Sequence, residues 1–144
     1  MIIRRLLKFT DICGLSSIKT IHTMSSSSTL KKIPDVELDN RGRYKYILVK
    51  VTDQNDSANN SKYVVRGGRQ FEYHADIYDN LKKCINPVEL NVTTQILGGG
   101  WVEHGEKSIL VEGASVQYGP ADHNISVDVL KKAYPDFRVT CNIE

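Results

Sequence analysis

The sequence lacks several features that would place it in a specialised class of protein. It has no run of about 18 apolar residues, so no transmembrane helix is expected. Its three cysteines, Cys13, Cys84 and Cys141, are odd in number and form no CxxC pair, which favours reduced thiols in an intracellular protein. It also has no HExxH motif and no Cys/His cluster with metal-ligand spacing. We therefore expect neither a metal nor a cofactor.

Excess charge is also scarce. The chain of 144 residues has a formal net charge of only +2. Residues 1–24 hold four basic side chains (Arg4, Arg5, Lys8 and Lys19) against Asp11, so the rest of the chain is close to neutral. Binding to nucleic acid requires a basic face, which this remainder does not offer. We expect no nucleic-acid partner and no membrane, and nothing in the sequence requires more than a monomer.

Residues 1–30 form a basic, Ser-rich extension that we expect to be disordered, and residues 31–144 form the domain. Residues 1–24 weakly resemble a mitochondrial presequence. The favoured interpretation is an upstream extension, with Met24 as an alternative start. The expected localisation is therefore cytoplasmic, with mitochondrial import through residues 1–24 as the alternative.

Hydrophobic patterning predicts an α/β domain. Strands are expected near residues 44–51, 62–66, 89–97, 107–112 and 137–143, and the Gly98–Gly100 run is expected to break the chain. Apolar residues at helical spacing predict one helix over 74–85, and Ser126 resembles the N-cap of a second. The fold class is thus a single domain with a mixed β-sheet of about six strands, flanked by two helices that cover its faces.

His74 is the strongest candidate for catalysis. It opens the predicted 74–85 helix on the side that faces the core. The positive end of a helix favours anions and disfavours imidazolium, so the ring would stay neutral and basic. Such an imidazole can act as a general base or a nucleophile. The favoured alternative, on these residues alone, is a packed histidine bonded to the backbone.

Three other polar positions suggest an anion site. Strand alternation puts Lys45 on the same face as Ile47, and Arg66 also lies near a core-facing position; either cation can bind phosphate. Ser115 lies between two glycines, where backbone N–H groups can approach an oxyanion. The alternatives are cations with solvated heads and a tight connection between strands. His123 is expected to be an exposed loop histidine.

Several segments together are specific to one family. They are KIPDVE from residue 32, YKYILV from 44, VRG from 65, EYHADIYD from 72, LGGG from 97, YGPADH from 118 and AYPDF from 133. In this order they resemble the phosphohistidine phosphatase family, which includes the insect janus and ocnus proteins. The resemblance extends from about Ile33 to Thr140 and leaves out residues 1–30.

The resemblance implies a metal-independent protein histidine phosphatase, an enzyme that acts on phosphohistidine-containing proteins. It implies that His74 is the catalytic proton acceptor and that Lys45 binds the substrate. The stretch Ser115-Val116-Gln117 matches the family's phosphate-contacting segment, and Arg66 is implied as a supporting cation. Two functional alternatives stay open. One is a non-catalytic janus-like protein that binds phosphoproteins in sex-specific development, and the other is a general phosphoamidase.

The sequence departs from the family pattern at two positions. Trp101 follows the three glycines, where the family usually has arginine, so one cation would be lost from the site. The indole would then either weaken binding of a phosphate dianion or stack on a substrate ring. Gly113-Ala-Ser115 stands where the family often has Gly-Tyr-Ser, and the serine is retained.

Overall fold

The computed structural model describes residues 27–55 and 57–143, and the predictions for residues 1–26 lie outside this range. Four helices and six strands alternate along the chain. In order they are α1 (Ser27–Lys31), β1 (Val36–Glu37), β2 (Gly42–Asp53), β3 (Ser61–Gly67), α2 (His74–Ile85), α3 (Pro87–Leu90), β4 (Val92–His104), β5 (Ser108–Glu112), α4 (His123–Ala133) and β6 (Arg138–Cys141).

The six strands form one mixed sheet, as the sequence predicts. Their spatial order is β1-β3-β2-β4-β5-β6. The two edge strands pair in parallel with their neighbours, and the four central strands are antiparallel. Strand β2 lies in the middle, and its residues from Tyr46 to Val49 are all fully buried. A strand that is apolar on both sides requires cover on both faces of the sheet.

The two long helices provide this cover, which confirms the predicted architecture. On one side, Val127 and Leu130 of α4 pack against Tyr46 and Leu48. We call this side the α4 face. On the other side, Ile77, Leu81 and Ile85 of α2 pack in a cluster that includes Ile47 and Val49. This side is the α2 face. Leu30 of α1 is buried in the same cluster, so the packed structure begins slightly before residue 31.

The predicted break at Gly98–Gly100 is wrong. Strand β4 runs without interruption from Val92 to His104 and pairs with β2 along its length. The pairing of β2 with β4 continues through the glycines, with a register shift between Leu48 and Val49. Gly98 has φ +145°, and a Cβ there would lie 2.4 Å from the Pro120 carbonyl oxygen. Glycine therefore allows the chain after β5 to approach this strand closely.

The predicted N-cap at Ser126 is also wrong. Helix α4 begins at His123, and the side chain of Asp122 accepts hydrogen bonds from the Asn124 and Ile125 N–H groups. Ser126 is fully buried inside the helix, 2.9 Å from the Tyr46 hydroxyl. Aspartate caps a helix as well as serine does, so the residue type alone did not separate the two positions.

None of the helices in the described ranges is long and apolar enough to cross a membrane.

Candidate active site

The candidate site lies on the α2 face, where β2 and β4 pair beside the start of α2. Lys45 is paired in register with Trp101, and Ile47 with Gly99. Ile47 belongs to the α2-side cluster, so alternation places Lys45, Gly99 and Trp101 on this same face. His74, the first residue of α2, therefore begins its helix directly over the glycine segment of β4.

His74 is held in one tautomer. The residue is only 7% exposed, and its Nε2 lies 2.9 Å from the Gly100 carbonyl oxygen. A carbonyl oxygen only accepts hydrogen bonds, so Nε2 carries the proton and donates it. Nδ1 has no hydrogen-bond partner among the described residues. The basic lone pair of the imidazole is therefore on Nδ1 and is free to act.

The environment of His74 also keeps the ring neutral. Burial lowers the pKa of His74 below its ordinary value of 6.5, and the positive charge of Lys45 lowers it further. The hydrogen bond to Gly100 raises the pKa but is weaker than the effect of burial. At neutral pH the ring is therefore in the unprotonated form that a base or nucleophile requires.

Gly99 brings His74 and Ser115 together. A Cβ at residue 99 would lie 2.7 Å from Cδ2 of His74 and 3.1 Å from Cβ of Ser115. Both distances are shorter than ordinary carbon–carbon contacts of about 3.5–4.0 Å. The two side chains thus lie against the same bare stretch of backbone. This close approach is a structural reason for glycine at a position that strand propensity disfavours.

Ser115 begins a tight loop that is attached to β4. Its backbone exchanges two hydrogen bonds with Gly119, and its Oγ accepts the Tyr118 N–H. Gly119 in turn accepts the Gly99 N–H. Within the described part of the chain, the N–H groups of Val116 and Gln117 have no partner. Successive unpartnered N–H groups in a turn form a site suited to an anion.

Lys45 supplies an uncompensated positive charge. It forms no ion pair with any carboxylate in the described residues. Its Nζ lies 4.6 Å from the centre of the Trp101 ring. The positive charge of Lys45 lowers the pKa of His74, so the ammonium group lies close enough to the imidazole to act on it. Lys45, His74 and Ser115 are thus brought to one place.

Arg66 is held differently from the other predicted residues. It lies on the α2 face but is only 4% exposed. Its guanidinium donates to the carbonyl oxygens of Pro34 and Val65 and lies 3.7 Å from the carboxylate of Glu37. These contacts fix the β1–β3 edge of the sheet. The role of Arg66 as a supporting cation stays a prediction, and its present partners do not favour it.

His123 is a residue that the sequence interpretation missed. It is 7% exposed rather than a solvent-facing loop residue, so that expectation is wrong. Its Nε2 donates to the Gly113 carbonyl oxygen, and its Nδ1 lies 2.7 Å from the Tyr46 hydroxyl. His123 thereby fixes the start of the Ser115 loop from the α4 face. His123 is four residues before Val127 and seven before Leu130, the spacing of one helical face, so it lies on the buried side of α4. A helix that begins after Ser126 would exclude His123 from this pattern.

Comparison with known proteins identifies the family. The Janus/Ocnus family matches residues 30–138, which is most of the chain and includes every candidate site residue. This chain belongs to the Janus/Ocnus family.

Named relatives of this Janus/Ocnus protein fall into two groups. The 14 kDa phosphohistidine phosphatase of Homo sapiens is 42% identical over 116 residues, covering 77% of this chain and 91% of the relative. That of Sus scrofa is 39% identical over 122 residues, with coverage of 81% and 95%. The sex-regulated protein janus-A of Drosophila pseudoobscura pseudoobscura is 40% identical over 134 residues, with coverage of 90% and 88%. The resemblance inferred from the motifs is therefore confirmed.

Metal ligands do not cluster in the described ranges of this Janus/Ocnus protein, where no group of three or more His, Cys, Asp or Glu side chains is placed to hold an ion.

Proposed function

We propose that this protein is a phosphohistidine phosphatase, which hydrolyses the P–N bond of phosphohistidine in proteins. One observation carries the proposal. The imidazole of His74 is neutral, is fixed by Gly100 and presents an unpartnered Nδ1 beside the unpaired ammonium of Lys45. Phosphatase names among relatives at about 40% identity support the same activity.

The phosphoryl group would be held by three elements. Lys45 offers a positive charge, the loop offers the N–H groups of Val116 and Gln117, and the hydroxyl of Ser115 is free to donate. Phosphoryl transfer depends mainly on positioning and on neutralising charge, because its transition state is loose and anionic. Protonation of the leaving imidazole weakens the P–N bond. We therefore propose hydrolysis that needs no metal.

His74 has two alternative roles in this reaction. As a base, Nδ1 takes a proton from water while the water oxygen bonds to phosphorus and the P–N bond breaks. The nitrogen that is freed takes a proton from solvent, and His74 then returns its extra proton to solvent. As a nucleophile, Nδ1 bonds to phosphorus as the substrate P–N bond breaks, and the freed substrate nitrogen takes a proton from solvent. The oxygen of water then bonds to phosphorus as the Nδ1–P bond breaks, which releases phosphate and neutral His74.

The first experiment is phosphate release from a phosphohistidine protein in EDTA. Wild type should release phosphate, and His74→Ala should lose at least about a hundredfold in rate, the scale of a lost general base. Thermal unfolding of both proteins checks that the variant is folded. Activity retained by His74→Asn would contradict both roles of the imidazole. Rapid quench with labelled substrate separates them, because only the nucleophile leaves a phosphorylated His74.

Two exposed apolar side chains favour a polypeptide substrate over a small phosphoramidate. Tyr73, which precedes His74, is 61% exposed, and Val116 in the Ser115 loop is fully exposed. Exposed apolar side chains beside an anion site can pack against the polypeptide that surrounds a phosphohistidine, whereas a small phosphoramidate has no such chain to contact.

The matched test compares Val116→Ser with Val88→Ser, because Val88 is equally apolar and exposed but lies on α3. Val116→Ser should raise KM for a phosphohistidine peptide about threefold, the effect of losing part of a buried apolar contact. It should leave KM for phosphoramidate unchanged. Equal changes for both substrates would favour a general phosphoamidase.

The janus-A relatives and Trp101 support a second candidate function. A relative named as sex-regulated is 40% identical to this chain, and Trp101 stands in the site where a further cation is expected. The alternative is a regulatory protein that binds phosphoproteins without turnover. Well-folded wild type that binds a phosphohistidine peptide but releases no phosphate would establish it.

A further inference from the structure

Three side chains form a row across the α2 face at the candidate site. Lys45 of β2, Trp101 of β4 and Glu112 of β5 are neighbours in the strand register. Adjacent strands are about 4.8 Å apart, so Trp101 stands directly between a lysine and a glutamate that are two strands apart. The indole thus separates two opposite charges that would otherwise face each other.

The glutamate of this row already has an ion-pair partner and a second hydrogen-bond donor. Arg43 donates to the Glu112 carboxylate at 3.1 Å, and Asn142 donates to it at 2.8 Å. Arg43 also lies 4.8 Å from the centre of the Trp101 ring. The arginine is therefore committed to Glu112, and the lysine is left with the aromatic ring as its neighbour.

The indole lies beside Lys45 and beside the start of the Ser115 loop. Lys45 Nζ is 4.6 Å from its centre, within the range of a cation–π interaction. Its own backbone follows Gly100, the residue that holds His74. A Cβ on Gly113, at the start of the Ser115 loop, would lie 3.1 Å from Cδ1 of the indole.

We propose that Trp101 is a positioning residue for Lys45: the ring holds the ammonium group over the site, while Arg43 keeps the Glu112 carboxylate occupied. Lysine has a long flexible stem, and an aromatic face can orient the charge without neutralising it. A carboxylate partner would instead compete with the phosphate. The inference rests on the proposed function only in taking phosphate as the ligand of Lys45.

The fluorescence of Trp101 provides a direct test, because it is the single tryptophan of the chain. Titration of wild type with inorganic phosphate should change the emission in a saturable way as the ammonium group shifts toward the anion. Lys45→Met should abolish this change. Lys82→Met is the matched control, since Lys82 also lies over a ring, 4.3 Å from the centre of Tyr78. It should respond as wild type does.

A double-mutant cycle tests whether Trp101 acts through Lys45. Calorimetry should show that Trp101→Leu weakens phosphate binding about two- to fivefold, the scale of a cation–π contact, and that Trp101→Phe restores most of it. In the Lys45→Met background, Trp101→Leu should have no further effect. Equal weakening in both backgrounds would mean that the indole contacts the anion itself, and the proposal would be wrong.

Kinetics add a readout that a purely structural role would not give. A ground-state contact should raise KM in Trp101→Leu with kcat changed less than about twofold. A fall in kcat with unchanged KM would overturn the proposal. The two proposals fail separately: absence of turnover in wild type refutes the phosphatase, whereas the phosphate titrations still decide the role of Trp101.

Discussion

Replacing Gly99 with alanine is the sharpest perturbation of this site, because it adds one methyl group between His74 and Ser115. The new carbon would lie 2.7 Å from Cδ2 of His74, 2.8 Å from the Tyr46 carbonyl oxygen and 3.1 Å from Cβ of Ser115. Carbon atoms in ordinary contact are about 3.5–4.0 Å apart. The imidazole must therefore move by about 1 Å.

A displacement of this size should be far more costly for catalysis than for folding. Misplacing a catalytic group by 1 Å can lower the rate about a hundredfold. Overpacking in a buried site costs about 1–3 kcal/mol. For a domain of this size that loss lowers Tm by roughly 5–12 °C, which leaves the protein folded at 25 °C. We therefore expect kcat/KM to fall about a hundredfold in a folded variant.

The assay is kcat/KM for a phosphohistidine peptide, with thermal unfolding measured on the same samples. Gly105→Ala is the control, since it follows the same strand and its Cβ would crowd only the Ser108 hydroxyl, at 2.9 Å, which can rotate away. That variant should keep wild-type activity. If Gly99→Ala retained more than about half of the wild-type kcat/KM, the placement of His74 and Ser115 against this glycine would be irrelevant to catalysis.

Three further predictions concern pH and helix capping. Because the pKa of His74 is lowered below 6.5, the pH profile of kcat/KM should stay level down to pH 6.5 and fall only below it; an inflection above 6.5 would contradict a neutral base. Burial also lowers the pKa of His104, so the unfolded chain binds more protons below pH 6.5. The free energy of unfolding should have its full value above pH 6.5 and decrease as the pH falls toward the lowered pKa of His104. The same Tm at pH 7.5 and 5.5 would refute this. Asp122→Ala should cost about 1 kcal/mol in urea unfolding, and an unchanged midpoint would show that Asp122 does not cap α4.

The parts of the site that follow a regular period could be predicted from the sequence. Helical spacing placed His74 at the buried start of α2, and strand alternation placed Lys45 on the face of Ile47. Each inference uses the residue pattern of a single helix or a single strand. Their approach to each other depends on the pairing of β2 with β4, which no local pattern contains.

The errors arose where tertiary contacts override local preference. Glycine disfavours strands, but Gly98–Gly100 remain in β4 because β2 pairs with them and the returning chain at Pro120 needs the space. An N-cap at Ser126 would leave His123 in the loop before the helix, which is why the sequence predicts an exposed side chain. Only the fold shows that His123 bonds both Tyr46 and Gly113. Asp122 and Ser126 are both suitable N-cap residues, and the packing of the folded chain decides which of them caps α4.

The three consecutive glycines of β4 have a consequence for how this protein can evolve or be engineered. Glycine in a strand costs roughly 0.5–1 kcal/mol relative to alanine, so the run sacrifices about 1.5–3 kcal/mol of stability. The usual stabilising replacement by alanine is blocked at each position by contacts under 3 Å. Thermostable variants must therefore gain their stability elsewhere, and selection for stability alone would leave these three glycines in place.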